Sequence, residues 1–151
     1  MVKIKARYPE RVEYQSDTAW DGQTGCVASV SNGRKIVSDT PMSYGGREEG
    51  ICPDEIFVSS LLTCLNNTFL DFQRRFEMDL KALDLSGMAI AEFDGTAYRI
   101  TGLKISGQIV VGANELATGK RCTELMKEYC HISRSLESCI PIEYNIDVRE
   151  E

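Results

Sequence analysis

The sequence predicts one α+β domain over residues 1–151, built from antiparallel sheets and two long helices. Three observations support this fold class. Several short runs alternate apolar and polar residues, which is the period of a half-buried strand. Two longer stretches repeat apolar residues every three or four positions, which is typical of amphipathic helices. These elements follow one another as strands, helix, strands, helix and strand, and no repeat or linker separates them.

The region before the first helix is predicted to be mostly strand. Residues 2–8 alternate apolar and basic side chains, which predicts a strand. Two further candidates, near 24–31 and 34–39, flank Ser31–Asn32–Gly33, and Asn-Gly is a strong hairpin signal. Residues 40–53 are rich in turn formers and are expected to connect this region to the first helix.

The first long helix is predicted to run from Pro53 to about Met78. Proline suits the first helical position, and acidic residues in the first turn complement the helix dipole. Cys64 lies about three turns inside, too deep for that dipole to activate its thiol, so a reactive Cys64 would need a nearby cation. The apolar stripe consists of Leu61, Leu65, Phe69, Phe72 and Phe76.

The second half of the chain predicts two strands, a helix and a closing strand. The strands lie near 82–93 and 98–111, and Asn114 is expected to cap the second long helix. A short helix over 131–138 and a strand over 142–148 complete the prediction.

Charge and hydropathy exclude several functional classes. The formal net charge is -6, and the basic residues are scattered, so nucleic acid is not an expected partner. The N-terminus has no apolar signal region, and no run of 18 uncharged apolar residues occurs, so neither secretion nor membrane insertion is predicted. A cytoplasmic location is expected.

The six cysteines are expected to be reduced in that compartment. No CxxC pair exists, and the sequence has one histidine, so neither a zinc site nor another bound cofactor is expected. Most of the cysteines are interpreted as small buried hydrophobic residues. Those without a predicted role are Cys26, Cys52, Cys122 and Cys139.

Two segments carry a resemblance to a known family. Gly50–Cys64, GICPDEIFVSSLLTC, resembles the first-helix motif of the OsmC/Ohr proteins, and Tyr129–Leu136, YCHISRSL, resembles their second motif, C-P-[IV]-S-R-[AS]-L. Asp39–Pro41 with Gly45–Gly46 is similar to the entry to the family's first helix. The order of strands and helices also matches, so the resemblance spans nearly the whole chain.

The resemblance implies a thiol peroxidase that reduces organic or fatty-acid hydroperoxides. Cys64 would attack the peroxide and Cys130 would resolve the product, because a sulfenic acid is over-oxidised unless a second thiol condenses with it. Cys130 at the end of the second helix would have the freedom to do so. A dithiol such as a lipoyl group, or another small thiol, would reopen the disulfide. An intertwined homodimer is also implied.

In the family, an arginine held by a carboxylate stabilises the thiolate of the attacking cysteine. This sequence matches those two positions less closely than it matches the two cysteine motifs. Asp54 stands at the carboxylate position, ten residues before Cys64, whereas Gln23 occupies the Ohr-type arginine position. Arg47 lies near the alternative position and is the candidate cation. His131 replaces the proline that usually follows the resolving cysteine, and it either assists the adjacent thiol or simply caps or packs.

Two other functions fit the same residues. The chain could be a non-catalytic module that binds an acyl group or another small ligand. In that case, the absence of arginine at the usual family position would be a sign that peroxidase activity has been lost. It could also be a thiol-based redox sensor or general disulfide oxidoreductase. Turnover with an organic hydroperoxide and a dithiol separates the peroxidase from the binding module, and a preference for hydrogen peroxide would indicate the sensor.

Overall fold

The computed structural model describes residues 8–151, which divide into two compact units. One unit ends at Pro53 and the other spans Asp54–Glu151. The strand predicted over residues 2–8 therefore lies outside the described residues, apart from its last residue. Whether the two units act as one domain stays a prediction from the sequence.

The N-terminal unit is a three-stranded antiparallel sheet in the order β1-β2-β3. Its strands are β1 (Asp17–Trp20), β2 (Gly25–Ser29) and β3 (Lys35–Asp39). The predicted hairpin joins β2 to β3, and Asn32 and Gly33 adopt positive φ angles of 62° and 69°, as the tight Asn-Gly turn requires. Ile51 forms a parallel bridge with Ser38 and extends the sheet beyond β3.

The C-terminal unit contains three helices and a second three-stranded sheet in the order β4-β5-β6. The elements are α1 (Pro53–Arg75), β4 (Leu80–Phe93), β5 (Tyr98–Val111), α2 (Leu116–Tyr129), α3 (His131–Leu136) and β6 (Ile142–Glu150). The predicted strands and helices of this half are therefore confirmed, with small changes at their ends. No helix in residues 8–151 combines the length and apolar character needed to cross a membrane.

The prediction of purely antiparallel sheets was wrong for the second sheet. β4 and β5 pair antiparallel, but β5 and β6 run parallel over Leu103–Val111 and Ile142–Glu150. The reason is the connection: α2 and α3 carry the chain from the end of β5 back to its start, and a strand that follows such a crossover runs parallel to the first.

The core of the C-terminal unit lies between the helices and one face of β5. α1 contributes most of its predicted stripe, and β5 contributes alternate residues. Phe76 is the exception: the helix ends at Arg75, Glu77 turns into the left-handed region at φ 53°, and Phe76 remains 47% exposed. The fully buried members are Leu61, Leu65, Phe69, Ile109, Val111, Cys122, Met126 and Cys130.

The start of α2 differs from the prediction at its cap. Asn114 has φ 68°, and the residue in the cap position is Glu115, whose side chain does not cap the helix. The Glu150 carboxylate, at the end of β6, instead accepts a hydrogen bond from the Leu116 N–H at 3.1 Å. A carboxylate at a helix N-terminus is also favoured by the helix dipole.

One glycine sets how closely α2 lies on the sheet. A Cβ placed on Gly119 would sit 3.0 Å from a Val111 methyl group and 3.1 Å from a Val148 methyl group. A residue without a side chain therefore lets the helix lie close to β5 and β6. This packing fixes the path of α2 toward the cysteine at its end.

Candidate functional site

Cys64 lies in the middle of α1, on the side of the helix that faces the core. Its neighbours on this side, Leu61 and Leu65, are fully buried, whereas Cys64 keeps 8% of its surface exposed. The backbone carbonyl of Cys64 accepts a hydrogen bond from the Thr68 hydroxyl at 2.8 Å. The thiol is thus held by a regular helix in apolar surroundings, with a small part of its surface open.

Cys130 is the residue at which α2 ends and α3 begins. Its backbone angles, φ -61° and ψ 111°, break the helical path between the two. Its N–H donates to the Met126 carbonyl at 3.0 Å, and its own carbonyl accepts from the Arg134 N–H at 3.0 Å. The side chain is fully buried. Hydrogen bonds to both helices therefore hold the backbone of Cys130, and the freedom expected for this residue stays a prediction.

The two sulfur atoms lie side by side, although 66 positions separate them in the chain. The Cys130 thiol donates toward the Cys64 Sγ at a distance of 3.1 Å. A disulfide bond is about 2.05 Å long, so about 1 Å of approach separates this contact from a covalent bridge. Both cysteines are present as free thiols.

Burial raises the pKa of the Cys130 thiol above its ordinary value, and the adjacent Cys64 raises it further. Hydrogen bonding to Ser133 acts in the opposite direction but does not cancel these effects. The Ser133 hydroxyl donates to the Cys130 carbonyl at 3.0 Å and is itself buried. Cys130 therefore holds its proton more firmly than an ordinary cysteine.

His131 is the first residue of α3, and its ring faces Cys64. The Nδ1 atom lies 3.7 Å from the Cys64 Sγ, within the range of a hydrogen bond to sulfur. The side chain is otherwise exposed to solvent. The sequence associated His131 with the neighbouring Cys130; the structure places its Nδ1 against the other cysteine.

Arg47 lies in the N-terminal unit among carboxylates. Its guanidinium group forms ion pairs with Asp21 at 2.5 Å and Glu49 at 2.9 Å, and it lies 3.8 Å from Asp39. Its Nε also donates to the Thr24 hydroxyl at 3.3 Å. Arg47 thus balances acidic groups of its own unit, and its predicted role toward Cys64 stays a prediction.

Asp54 occupies the first turn of α1, as its position after Pro53 predicted. A carboxylate there is favoured by the helix dipole whatever else it contacts. Its predicted partnership with Arg47 also stays a prediction.

The comparison with known families agrees with the motifs in the sequence. The family model described as OsmC-like protein matches residues 46–145, which is about two thirds of the chain. The chain belongs to the OsmC-like protein family. No curated protein sequence matches it.

Solved structures of other OsmC-like proteins share the fold at low sequence identity. An OsmC-like protein of unknown function from Vibrio cholerae is 18% identical, with a TM-score of 0.77 over 91% of this chain and 100% of the other. An organic hydroperoxide resistance protein from Legionella pneumophila is 11% identical, with a TM-score of 0.70 over 95% and 99% of the two chains. Another, from Elizabethkingia anophelis, is 12% identical, with a TM-score of 0.69 over 95% and 100%. The TM-scores establish a common fold, and identities this low show no more than the fold.

The other cysteines differ in environment. Cys122 is fully buried in the core, as predicted for a small hydrophobic residue, and burial, followed by the charge of Glu115, raises the pKa of its thiol. Cys139 is exposed, contrary to that prediction, and donates to the Leu136 carbonyl at 3.2 Å. Cys26 and Cys52 are half-buried. Within residues 8–151, no cluster of histidine, cysteine and acidic side chains has the geometry of a metal site.

Two residues beside Cys130 were not singled out from the sequence. Ser133 is buried against Cys130. The pKa of Tyr144, on β6, is raised by burial, and hydrogen bonding to Ser133 offsets only part of this increase. Ser133 belongs to the second motif, so its spacing from Cys130 was available as a signal. Tyr144 carried no comparable signal, because only the parallel pairing of β6 fixes its position.

Proposed function

We propose that this protein is a cysteine-based peroxidase that reduces organic hydroperoxides, with Cys64 as the attacking thiol and Cys130 as the resolving thiol. The observation that carries the proposal is the 3.1 Å separation of the two sulfur atoms. Two buried cysteines used only as fillers have no need to meet sulfur to sulfur. A peroxidase needs this arrangement, because the second thiol must reach the first before over-oxidation.

The proposed reaction has two steps. The Cys64 thiolate attacks the terminal oxygen of the hydroperoxide, the O–O bond breaks, and the organic fragment leaves as an alkoxide that takes up a proton to become an alcohol. Cys64 is now a sulfenic acid. The Cys130 sulfur then attacks the Cys64 sulfur, which forms the disulfide and releases water. Two electrons and two protons from an external dithiol restore both thiols.

The order of the two cysteines follows from their environments. Cys64 keeps 8% of its surface exposed, whereas Cys130 is fully buried, so a peroxide meets Cys64 first. The raised pKa of Cys130 keeps that residue a thiol, and a thiol is a weaker nucleophile than a thiolate. As a thiol it donates toward the Cys64 sulfur.

The preference for organic hydroperoxides rests on the family and on apolar surroundings. Two of the similar structures are named organic hydroperoxide resistance proteins, which concerns those proteins and supports the substrate class here. Cys64 lies between Leu61 and Leu65 on one side of α1, and half-buried Phe57 and Val58 pack against the same core. Hydrocarbon side chains next to the thiol favour a substrate with an apolar tail, at about 25 cal/mol per Å² of apolar surface buried.

The proposal extends to the partners implied by the family. The disulfide is reopened by a dithiol such as a lipoyl group, the protein works as a homodimer, and it acts in the cytoplasm, where thiols are kept reduced. Arg47 remains the candidate for the activating cation, and Asp54 remains the candidate for its carboxylate partner. An arginine can stabilise a thiolate by its charge but cannot accept the thiol proton.

The test compares the oxidation rate of Cys64 by a bulky alkyl hydroperoxide and by hydrogen peroxide in single-turnover experiments. We expect kcat/KM to be at least about tenfold higher for the alkyl hydroperoxide, since a factor of ten needs only about 1.4 kcal/mol of tail burial. Cys64→Ser should abolish turnover with a dithiol, Cys130→Ser should stall after the first oxidation, and Cys122→Ser serves as the matched control for a buried cysteine.

The outcomes separate the three functions. A preference for hydrogen peroxide would replace the proposed function with a redox sensor. The absence of hydroperoxide reduction, together with an intact fold, would indicate the ligand-binding module instead.

A further inference from the structure

The single histidine of the chain is placed against the thiol that the proposed function makes the nucleophile. His131 Nδ1 lies 3.7 Å from Cys64 Sγ, and His131 is an exposed residue. Cys64 itself is nearly buried. The ring therefore lies between a sulfur enclosed by apolar side chains and bulk water.

The local backbone directs two side chains toward Cys64. Cys130, with ψ 111°, interrupts the helical path, and His131 starts the next helix immediately afterwards. As a result, both the Cys130 Sγ and the His131 Nδ1 contact the same sulfur atom. The helix cap of α3 is Cys130, and His131 follows it in the first helical position. His131 thus does not occupy the capping position, which is one of the two structural roles that the sequence left open for it.

We infer that His131 is a catalytic residue that carries the proton of Cys64 during peroxide reduction, an inference that rests on the proposed function. With its proton on Nε2, the ring offers Nδ1 as an acceptor to the Cys64 S–H group. Transfer of the S–H proton gives the thiolate and the imidazolium. The thiolate attacks the hydroperoxide, and the O–O bond breaks. The imidazolium then returns the proton to the departing alkoxide, which leaves as the alcohol.

This role differs from the roles assigned to the other groups. Cys130 holds its own proton and donates toward Cys64, so it cannot also take the Cys64 proton. A guanidinium group cannot serve as a base. Imidazole can both accept and release a proton near neutral pH, which is the property the step needs.

The test uses His131→Pro, because the fold tolerates proline at this position. Proline is favoured at the first position of a helix, and the extended conformation of Cys130 is compatible with a following proline. Arg134→Gln is the matched control, since it removes an exposed charge one turn further along the same short helix. Circular dichroism and urea unfolding verify that both variants are folded.

The first readout is the single-turnover oxidation of Cys64 by an alkyl hydroperoxide. We expect His131→Pro to be slower by roughly 10- to 100-fold, which is the range for loss of a general acid–base group. Because the His131 side chain is exposed, free imidazole in the buffer should restore part of the rate in His131→Pro and leave the wild type and Arg134→Gln unchanged. A rate within twofold of the wild type would overturn the inference. A slow variant that imidazole does not rescue would assign His131 a structural role and would also overturn it.

A second readout does not depend on peroxide chemistry. In a Cys130→Ser background, the alkylation rate of Cys64 by iodoacetamide, followed by peptide mass spectrometry, should fall about tenfold with His131→Pro and recover with imidazole. If the wild type does not reduce hydroperoxides but shows this effect, the proposed function fails while the contribution of His131 to the reactivity of Cys64 stands. If hydroperoxide is reduced and neither readout changes, the inference alone fails.

Discussion

Oxidation of the Cys64–Cys130 pair should change the stability of the C-terminal unit, and the structure gives the size of the change. The two residues are 66 positions apart. Cross-linking a loop of this length removes about 15 cal/mol/K of entropy from the unfolded chain, which corresponds to about 4 kcal/mol at 25 °C. The full gain requires that the native structure accommodate the bond without distortion. The sulfur atoms already lie 3.1 Å apart, so the adjustment is small.

The perturbation is conversion of the reduced protein to the disulfide form with a small thiol oxidant, so that the result does not depend on peroxidase activity. The background should be Cys139→Ser, which removes an exposed thiol able to link two chains while keeping a donor for the Leu136 carbonyl. Urea unfolding is followed by the helical circular dichroism signal, which reports α1 and α2. For a slope of about 2 kcal/mol/M, a gain of 4 kcal/mol moves the midpoint up by about 2 M.

The control is the same experiment with Cys130→Ser added to that background, where the oxidant should leave the midpoint unchanged. A midpoint that does not rise in the Cys139→Ser protein, despite a Cys64–Cys130 bond identified by mass spectrometry, would contradict the expected gain in stability. It would mean that the disulfide forms only in a distorted structure and that the native positions of the two sulfur atoms do not allow the bond without rearrangement.

Three further predictions concern charged groups. If Arg47 is the activating cation, Arg47→Ala should slow the oxidation of Cys64 by an alkyl hydroperoxide, because a cation beside a thiol favours the thiolate; an unchanged stopped-flow rate would contradict that role. The pKa of Asp39 is lowered from its ordinary 3.8, first by the hydrogen bond that it accepts from a threonine. Ionised Asp39 therefore stabilises the folded state above pH 3.8, and this stabilisation is lost as the pH falls below that value. Fluorescence of Trp20, the sole tryptophan, should report acid unfolding of the N-terminal unit, and Asp39→Asn should make the dependence of stability on pH less steep. Glu150→Ala should destabilise α2 by about 0.5–1 kcal/mol in urea, whereas Glu150→Gln, which keeps an acceptor, should lose less.

Local signals in the sequence predicted most of the secondary structure. Pro53 followed by two acidic residues fixed the start of α1, and Asn32–Gly33 fixed the hairpin between β2 and β3, because both are determined by backbone preferences of neighbouring residues. β1 was missed, since its four residues are all exposed and so show no apolar alternation. Its pairing with β2 is visible only in three dimensions.

The sequence supplied candidate residues for the site but not the contacts between them. The two motifs identified Cys64 and Cys130, yet the contact between them depends on the packing of α1 against the junction of α2 and α3. The orientation of His131 could not be read from its position beside Cys130, because a single backbone break at Cys130 decides which sulfur the ring faces. The parallel pairing of β6 was not predicted for a similar reason, because it depends on the crossover connection and not on the residues of the strand.

The most direct test of the proposed pairing of Cys64 with Cys130 is peptide mass spectrometry of the reduced protein after treatment with one equivalent of an alkyl hydroperoxide. We predict a Cys64–Cys130 disulfide within a single chain as the main product, and a Cys64 sulfenic or sulfinic acid in Cys130→Ser. A bridge between any other pair of cysteines, or a wild-type protein whose six thiols all remain reduced, would contradict it.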